Sequence, residues 1–359
     1  MRTIRKYIKV ATLVMNIIAI LALWLCCIST WLHPDKFPHL SLMGLLFPGF
    51  LLFDLSFIII WGLVNYRRAW IPLAGLVPCI GFILDYCPFN LHGEVPQECI
   101  KILTYNTNNY GGMEEDKEEG KRITTEYIKN SDADIICLQE SGGKGVVVEA
   151  FLEYMDSIGY VHDEHHGNIL LSRFPILEMD TFTYATHLEK GIAGNSSKWY
   201  KVQCGKDTII VVNNHLESNR LKPDVKEEYV ANFDDPEYES IKKSGHTIGS
   251  RLTASNAYRA PQADSLVAFV NRYPGQHIIM CGDFNDTPIS YTYQRIKSCL
   301  TNAFRQSGRG IGISYNQRGF WVRIDHIFVS DNCKTYNTAI DNSIKSSDHY
   351  PLISWVKIQ

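Results

Sequence analysis

Ten cysteines are present, yet none forms a CxxC pair and none shows the cysteine or histidine spacing that holds zinc, so a zinc-finger framework is excluded. Internal repeats and low-complexity segments are also lacking, which excludes a solenoid or a long disordered tail. Basic charge is not in excess either. Lys and Arg number 35 against 38 Asp and Glu, giving a formal charge of −3 at pH 7. Setting aside the seven basic and four acidic residues of 1–95 leaves 28 basic against 34 acidic, a net of about −6 for the remainder. A broad basic surface for sequence-independent nucleic-acid binding is therefore not evident, although a cleft that holds cations can work on phosphates without one. Cys137 and Cys281 sit inside apolar strand runs and read as buried thiols. Pairing of Cys299 with Cys333 is left open by the sequence.

Long apolar runs are present, and all lie before position 90: Val10 to Ile28, Met43 to Val64, and Ala69 to Tyr86. The first two have the length of a bilayer span, and the third is shorter and interrupted by Pro72 and Pro78. Arg2, Arg5, Lys6 and Lys9 resemble the start of a cleavable signal, but the run is long and two more follow. Three transmembrane helices over 1–92 are expected, then a soluble domain over 93–359. Four basic residues precede the first run and Arg67-Arg68 follow the second, which puts both in the cytoplasm and the soluble domain outside it. If the third run only dips into the bilayer, the sidedness reverses. Asp54, in the middle of the second run, is costly there and is expected to pack against other helices, with a transport or sensing role as the sharper alternative.

After Val95, strands repeatedly end on polar residues. Ile100 to Asn108 alternates into an Asn cluster, and Ala133 to Glu140 is a buried strand ending on a carboxylate, with a charged helix between them at Glu114 to Asn130. Val146 to Ile158 reads as a helix and Asn168 to Pro175 as a strand and turn. Strands are expected around Trp199 to Cys204 and Thr208 to Asn214, the second running into His215. Residues 219 to 250 are charge-rich without a strand pattern and look like an insertion or lid at a rim. Tyr258 to Asn271 reads as an amphipathic helix. The stretch His277 to Asp286 then delivers Asp283, Asn285 and Asp286 from a rigid strand end, with Gly282 allowing a turn where no side chain would fit. Tyr291 to Leu300 reads as a helix, Arg323 to Ser330 as a strand, and Ser346 to Ile353 as a polar turn entering a last strand. The run His162 to His166 reads as a solvated loop, and His187 and His246 are undistinguished.

Five pieces in this order resemble the endonuclease/exonuclease/phosphatase superfamily with its DNase I-like fold: Tyr105-Asn106-Thr107-Asn108, Leu138-Gln139-Glu140, Asn213-x-His215-Leu216, Gly282-Asp283-Phe284-Asn285 with Arg323-x-Asp325-His326-Ile327-Phe328-Val329-Ser330, and Ser347-Asp348-His349-Tyr350-Pro351. The resemblance covers roughly residues 99 to 359. It implies an α+β, four-layer α/β/β/α sandwich preceded by the membrane helices, with a site at one edge of the sandwich. It also implies that Glu140 is the principal Mg²⁺ ligand, Mn²⁺ being possible, with Asn106 beside it and Asp348 near the metal. His349 resembles the catalytic histidine, paired with Asp325, and His215 a second histidine that contacts the phosphate. Asp283 resembles the carboxylate that orients the attacking water, and Asn285 the amide that holds a phosphate oxygen. Asn108 stands where some members have Asp, which leaves the number of metals open.

These residue types suit the chemistry on their own. Phosphoester hydrolysis builds charge on non-bridging and leaving oxygens, which a hard cation on carboxylates and positioned His and Asn donors stabilise. The expected function is Mg²⁺-dependent phosphodiester hydrolysis by a membrane-tethered domain outside the cytoplasm, on a bacterial inner membrane. Nucleic acid is the default substrate, a lipid head group the alternative, and no protein partner is expected. The inositol-polyphosphate branch is disfavoured by GDFND in place of GD-x-NYR, and repair endonucleases by the expected sidedness. A non-catalytic binding protein is the reading of a different class, disfavoured by the intact set of Glu140, His215, Asp283, Asp325, Asp348 and His349. Residues 219 to 250 and the loop Gly191 to Ser197 are expected to read the substrate.

Overall fold

In the computed structural model, which describes residues 2–163, 167–182, 184, 196–221 and 223–359, the strand runs after position 99 form two six-stranded sheets. One holds, side by side, β11 (Cys333–Ile340), β12 (Leu352–Ile358), β1 (Ile100–Asn106), β2 (Ile135–Gln139), β4 (Ile169–Ser172) and β3 (Val161–His162). The other holds β5 (Ile176–Thr181), β6 (Ser197–Cys204), β7 (Asp207–His215), β8 (His277–Asp283), β10 (Asp325–Val329) and β9 (Thr301–Asn302). Side chains alternate across each strand, so one apolar run serves two cores. In β7, Ile209 and Val211 face the opposite sheet and pack with Ile279, Cys281, Ile102, Ile135 and Cys137. Ile210 and Val212 face outward against Leu266, Phe269 and Tyr293 of helices Tyr238–Val270 and Tyr291–Lys297. The outer face of the first sheet packs in the same way, Leu103, Ile136 and Leu138 meeting Ile128, Phe151 and Met155. Helices therefore cover both outer faces of a two-sheet sandwich.

The charged helix begins later than expected, at Lys117 rather than Glu114, because Asp116 caps it by accepting from the backbone N–H groups of Glu118 and Glu119. The rim insertion is helical: Pro223–Asp234 and the first half of the 33-residue Tyr238–Val270 pair there, Asn232 Nδ2 donating to Ser244 Oγ at 3.1 Å. The expected helix at Tyr258 to Asn271 is only its C-terminal part. All ten cysteines are free thiols, so Cys299 and Cys333 are not joined.

Of the three membrane helices expected, two meet the length and composition that a span needs. Ile4–Ser29 and Leu40–Arg68 are long and apolar enough to cross a bilayer, whereas Trp70–Tyr86 is shorter. Pro78 also interrupts it: the segment divides into helices Trp70–Leu76 and Ile80–Tyr86 around a tight turn at Val77–Cys79. It still lies along the first helix, Trp24 Nε1 donating to the Gly75 carbonyl at 2.8 Å and Phe82 packing edge-on to Trp31. Asp54 is buried between helices, where Asn16 donates to its Oδ1 at 3.0 Å and Trp61 donates to Asn16 at 2.9 Å.

The helical unit is fused to the sandwich. Ile289, in the loop after β8, packs in one cluster with Leu23, Cys27, Phe47, Cys79 and Phe82. Asp85 is buried and ion-paired to Arg305 at 2.9 Å and to Lys297, and Arg323 donates to the Asp85 carbonyl. Gly44, in the 3₁₀ turn Leu40–Leu46, lies so close to the Ile289 backbone that a Cβ there would stand 1.7 Å from its carbonyl oxygen. Gly44→Ala is accordingly expected to force the seam apart and to cost about 2 kcal/mol, the usual scale of overpacking. A lowered unfolding temperature of the full-length protein in detergent would register it; an unchanged temperature would show that the seam yields freely.

Candidate active site

Strand direction collects the site. β1 and β2 run parallel, as do β7 and β8, while β12 and β10 run antiparallel to β1 and β8. The C-terminal ends of the four parallel strands and the entries to β10 and β12 thus meet at one rim. Asn106, Glu140, His215 and Asp283 leave from those ends, and Asp325 and His349 enter. Three buried hydrogen bonds hold the sheets in register beneath them. Gln139 donates to Asn213 Oδ1 at 2.7 Å, and Asn213 Nδ2 donates to the carbonyls of Leu138 and Ile169, each at 3.1 Å. Asn213→Ala would remove three buried hydrogen bonds, so a destabilisation of about 2–4 kcal/mol is expected in chemical unfolding. A loss below about 0.5 kcal/mol would show that the link does not fix the sheets.

Local backbone geometry aims the side chains. Gly282 has φ 131°, and a Cβ there would fall 2.0 Å from the Asn214 carbonyl oxygen, so only glycine lets β7 approach so closely at the site end. Glu140 (φ 48°) and Asn285 (φ 53°) both lie in the left-handed region, a conformation that costs non-glycine residues of the order of 1 kcal/mol or more. Hydrogen bonds hold both: the Asn109 N–H donates to the Glu140 carbonyl at 2.8 Å, and the Asn285 N–H to Asp283 Oδ1 at 2.8 Å.

Asp283 is the centre of the cluster. Its Oδ2 accepts from Asn106 Nδ2 at 3.0 Å and stands 3.7 Å from His349 Nε2 and 3.8 Å from His215 Nε2. Asn106 Nδ2 also donates to Glu140 Oε1 at 3.1 Å, and His215 Nε2 lies 3.6 Å from the same oxygen. On the far side, His349 Nδ1 is 2.8 Å from Asp325 Oδ2, and Asp325 is held by backbone pairing with Asp283 and by its N–H donating to Ser314 Oγ at 3.0 Å. Burial raises the Asp283 pKa and the neighbouring Asp325 adds to it, while His349 and His215 pull it back. For His349 burial opposes the charge, but Asp325, Asp283 and Asp348 outweigh it and push the pKa up to about 10. At neutral pH the imidazole is therefore protonated, a donor on both nitrogens.

Asn285 Nδ2 donates to the Leu216 carbonyl at 3.1 Å, and Asn285 with Asp348 lines the cleft above the cluster. Asn106 offers its N–H, not its oxygen, to the two carboxylates; its Oδ1 accepts the Asn108 N–H at 3.2 Å. Asn108 is not brought to the cleft, since its side chain folds back over Gly112. Asp283, Asp325 and His349 bring ligand atoms within 4.8 Å of one another, and with the exposed oxygens of Glu140 this acidic and histidine cluster offers the hard donors a divalent cation takes.

Several cleft residues carried no signal in the sequence. Lys226 comes from the helical insertion, donates to Tyr315 Oη, and faces Asp348 and Glu140. Tyr315 stacks edge-on to His349, with centroids 5.0 Å apart. Arg259 is buried beneath Asn285, donating to the Glu217 carbonyl at 2.8 Å and to Asn219 Oδ1 at 2.9 Å, with Asp286 Oδ2 at 3.6 Å. An arginine beside Ala260 and Ala263 on the core face of a helix was the available clue. Ser41, Leu42 and Leu45 reach the cleft from the turn between the two apolar helices. His162, part-buried, pairs with Asp156 at 3.2 Å rather than lying in solvent; His165, His166, His187 and the loop 191–195 lie outside the described residues.

A family model described as the Endonuclease/Exonuclease/phosphatase family matches residues 103–349, and one described as a domain of unknown function matches residues 6–86. No protein of curated function matches the chain. Among solved structures, an endonuclease/exonuclease/phosphatase family protein from Bacteroides thetaiotaomicron is similar at 16% identity and TM-score 0.52, covering 73% of this chain and 98% of that one. The corresponding protein from Bacteroides vulgatus gives 16%, 0.50, 73% and 99%. The human nocturnin catalytic domain with bound sulfate gives 17%, 0.50, 75% and 96%.

Proposed function

The chain belongs to the endonuclease/exonuclease/phosphatase family and is a phosphoric ester hydrolase, and from that premise we propose that its rim cluster cleaves phosphodiester bonds with Mg²⁺ bound at Glu140. The observation that carries this reading is one carboxylate, Asp283, set between two imidazoles, one of them ion-paired to Asp325, with Glu140 alongside. Asp283 is the base that orients and deprotonates water, its raised pKa strengthening it for that task. His349, charged and locked by Asp325, donates to phosphate oxygens as negative charge builds. His215 and the free amide hydrogen of Asn285 do the same from the other side.

Glu140, with Asp348 across the cleft, would hold the cation; Asn106 would join them only through a reversed amide, and otherwise acts by positioning both carboxylates. Bound there, Mg²⁺ or Mn²⁺ would supply Lewis-acid stabilisation of the developing charge. Asn108, turned toward Gly112, is left out of the first ligand set.

The two long apolar helices anchor the enzyme in a cell membrane. Arg67 and Arg68 end the second helix, and Arg5, Lys6 and Lys9 lie in the first turns of the first. Trp70–Tyr86 packs alongside the first helix, which supports reading it as a return across the bilayer and, by the positive-inside rule, the sandwich as lying outside the cytoplasm. The test is turnover of bis(p-nitrophenyl) phosphate by the full-length protein in detergent, with Mg²⁺, with Mn²⁺ and with EDTA. Hydrolysis that EDTA abolishes and either cation restores is the expected result; no turnover under any of these conditions would sink the reading.

A further inference from the structure

The cleft above the cluster encloses about 610 Å³, within the usual range of a small-molecule site. Its floor is polar, made by the catalytic carboxylates and imidazoles. Its upper wall is not. Leu42, Leu45 and Pro48 come from the turn between the two apolar helices and the start of the second, and Ile248 and Leu252 come from the insertion helix packed beside that turn. This wall does not rest on the site by chance. Asn256 Nδ2 donates to Ser41 Oγ at 3.0 Å, and Gly44 abuts the Ile289 backbone, so the Leu40–Leu46 turn is fixed to the sandwich at the cleft edge. Leu45 is 42% exposed and continues, through Leu46, onto the exposed apolar faces of the two long helices. The apolar wall is therefore continuous with the surface that a bilayer would cover, and Lys226 stands as a cation near the carboxylates.

We infer that the phosphodiester hydrolysed here belongs to a bilayer amphiphile, whose hydrocarbon lies along Leu42, Leu45, Pro48, Ile248 and Leu252 while its phosphate reaches the polar floor. The inference rests on the hydrolase reading and the membrane anchor above. A highly charged polymer such as DNA would leave this wall without an apolar partner, and burial of apolar surface favours only a ligand that brings some. The reaction itself is unchanged: water adds to phosphorus, the ester P–O bond breaks, and the alcohol leaves with a proton.

The experiment compares two esters that differ only in the chain, methyl p-nitrophenyl phosphate and hexadecyl p-nitrophenyl phosphate, the latter in mixed micelles, with the full-length protein and with single-stranded DNA as a third substrate. The expected kcat/KM for the hexadecyl ester exceeds that for the methyl ester at least tenfold, and this ratio falls at least fivefold in Leu42→Gln and Leu45→Gln. Retained turnover of the methyl ester shows that those variants fold. Equal kcat/KM for both esters, a ratio insensitive to both substitutions, or DNA as the best substrate would overturn the amphiphile inference and leave the hydrolase standing. No turnover of any substrate would overturn both.

Discussion

His349→Ala is expected to lower phosphodiester turnover about 10³-fold with little change in folding, the scale seen when a positioned acid or charge-stabilising donor is removed. His349 loses a 2.8 Å bond to Asp325 and its place 3.7 Å from Asp283, both at the site rim rather than in the apolar cores. Its removal has two consequences. The donor to the phosphate vanishes, and Asp283 loses the cation that most opposes its rise in pKa. Asp283 should then titrate at a higher pH than in the parent, so the rise of residual activity with pH should be shifted upward relative to the parent's. Initial rates across pH 6 to 9, beside circular dichroism of the variant, test this; a variant with half the parental rate would remove His349 from the mechanism.

Glu140→Gln is expected to have the second largest effect, about 10²- to 10³-fold at fixed Mg²⁺, because a neutral amide replaces the most accessible carboxylate of the cluster. Unlike the histidine variant, it should recover in part as Mg²⁺ is raised, since the remaining oxygens of Asp283 and Asp348 still attract a cation. Saturation curves for Mg²⁺ provide the readout. A shifted midpoint with a nearly intact plateau fits a ligand; an unshifted midpoint would assign Glu140 to holding Asn106 instead.

How much of this was legible in the sequence depends on the scale of the interaction. Alternation along Ile209 to Val212 reports two faces, and a polar residue closing an apolar run reports a rim, so Glu140, His215 and Asp283 could be placed at strand ends from the chain itself, whereas the two packed sheets and the pairing of Asp325 with His349 came only with the family resemblance. Proline in Trp70–Tyr86 was visible too, yet not that the segment would still pack along the first helix through Trp24 and Phe82. Lys226, Arg259 and the Leu42–Leu45 wall depend on contacts between residues far apart in the chain, such as Asn256 with Ser41, for which no local pattern exists. Asn108 shows how local backbone geometry can redirect a motif residue. Its motif position suggested a ligand, but a left-handed backbone (φ 45°) sends it toward Gly112.

The stretch between Tyr86 and β1 could have been a leash, on which a domain roams over a radius growing as the square root of its length. It is pinned instead: Phe89 bridges to Arg309, Asn90 Nδ2 donates to the Gly308 carbonyl at 2.8 Å, and Asn337 Nδ2 donates to the Gly93 carbonyl at 2.7 Å. With Asp85 clamped by Arg305 and Lys297, the sandwich has one height and one heading above the helices. Inserting residues between Gly93 and Cys99 would therefore extend neither. The rim and the cluster it carries therefore move only as the bundle moves.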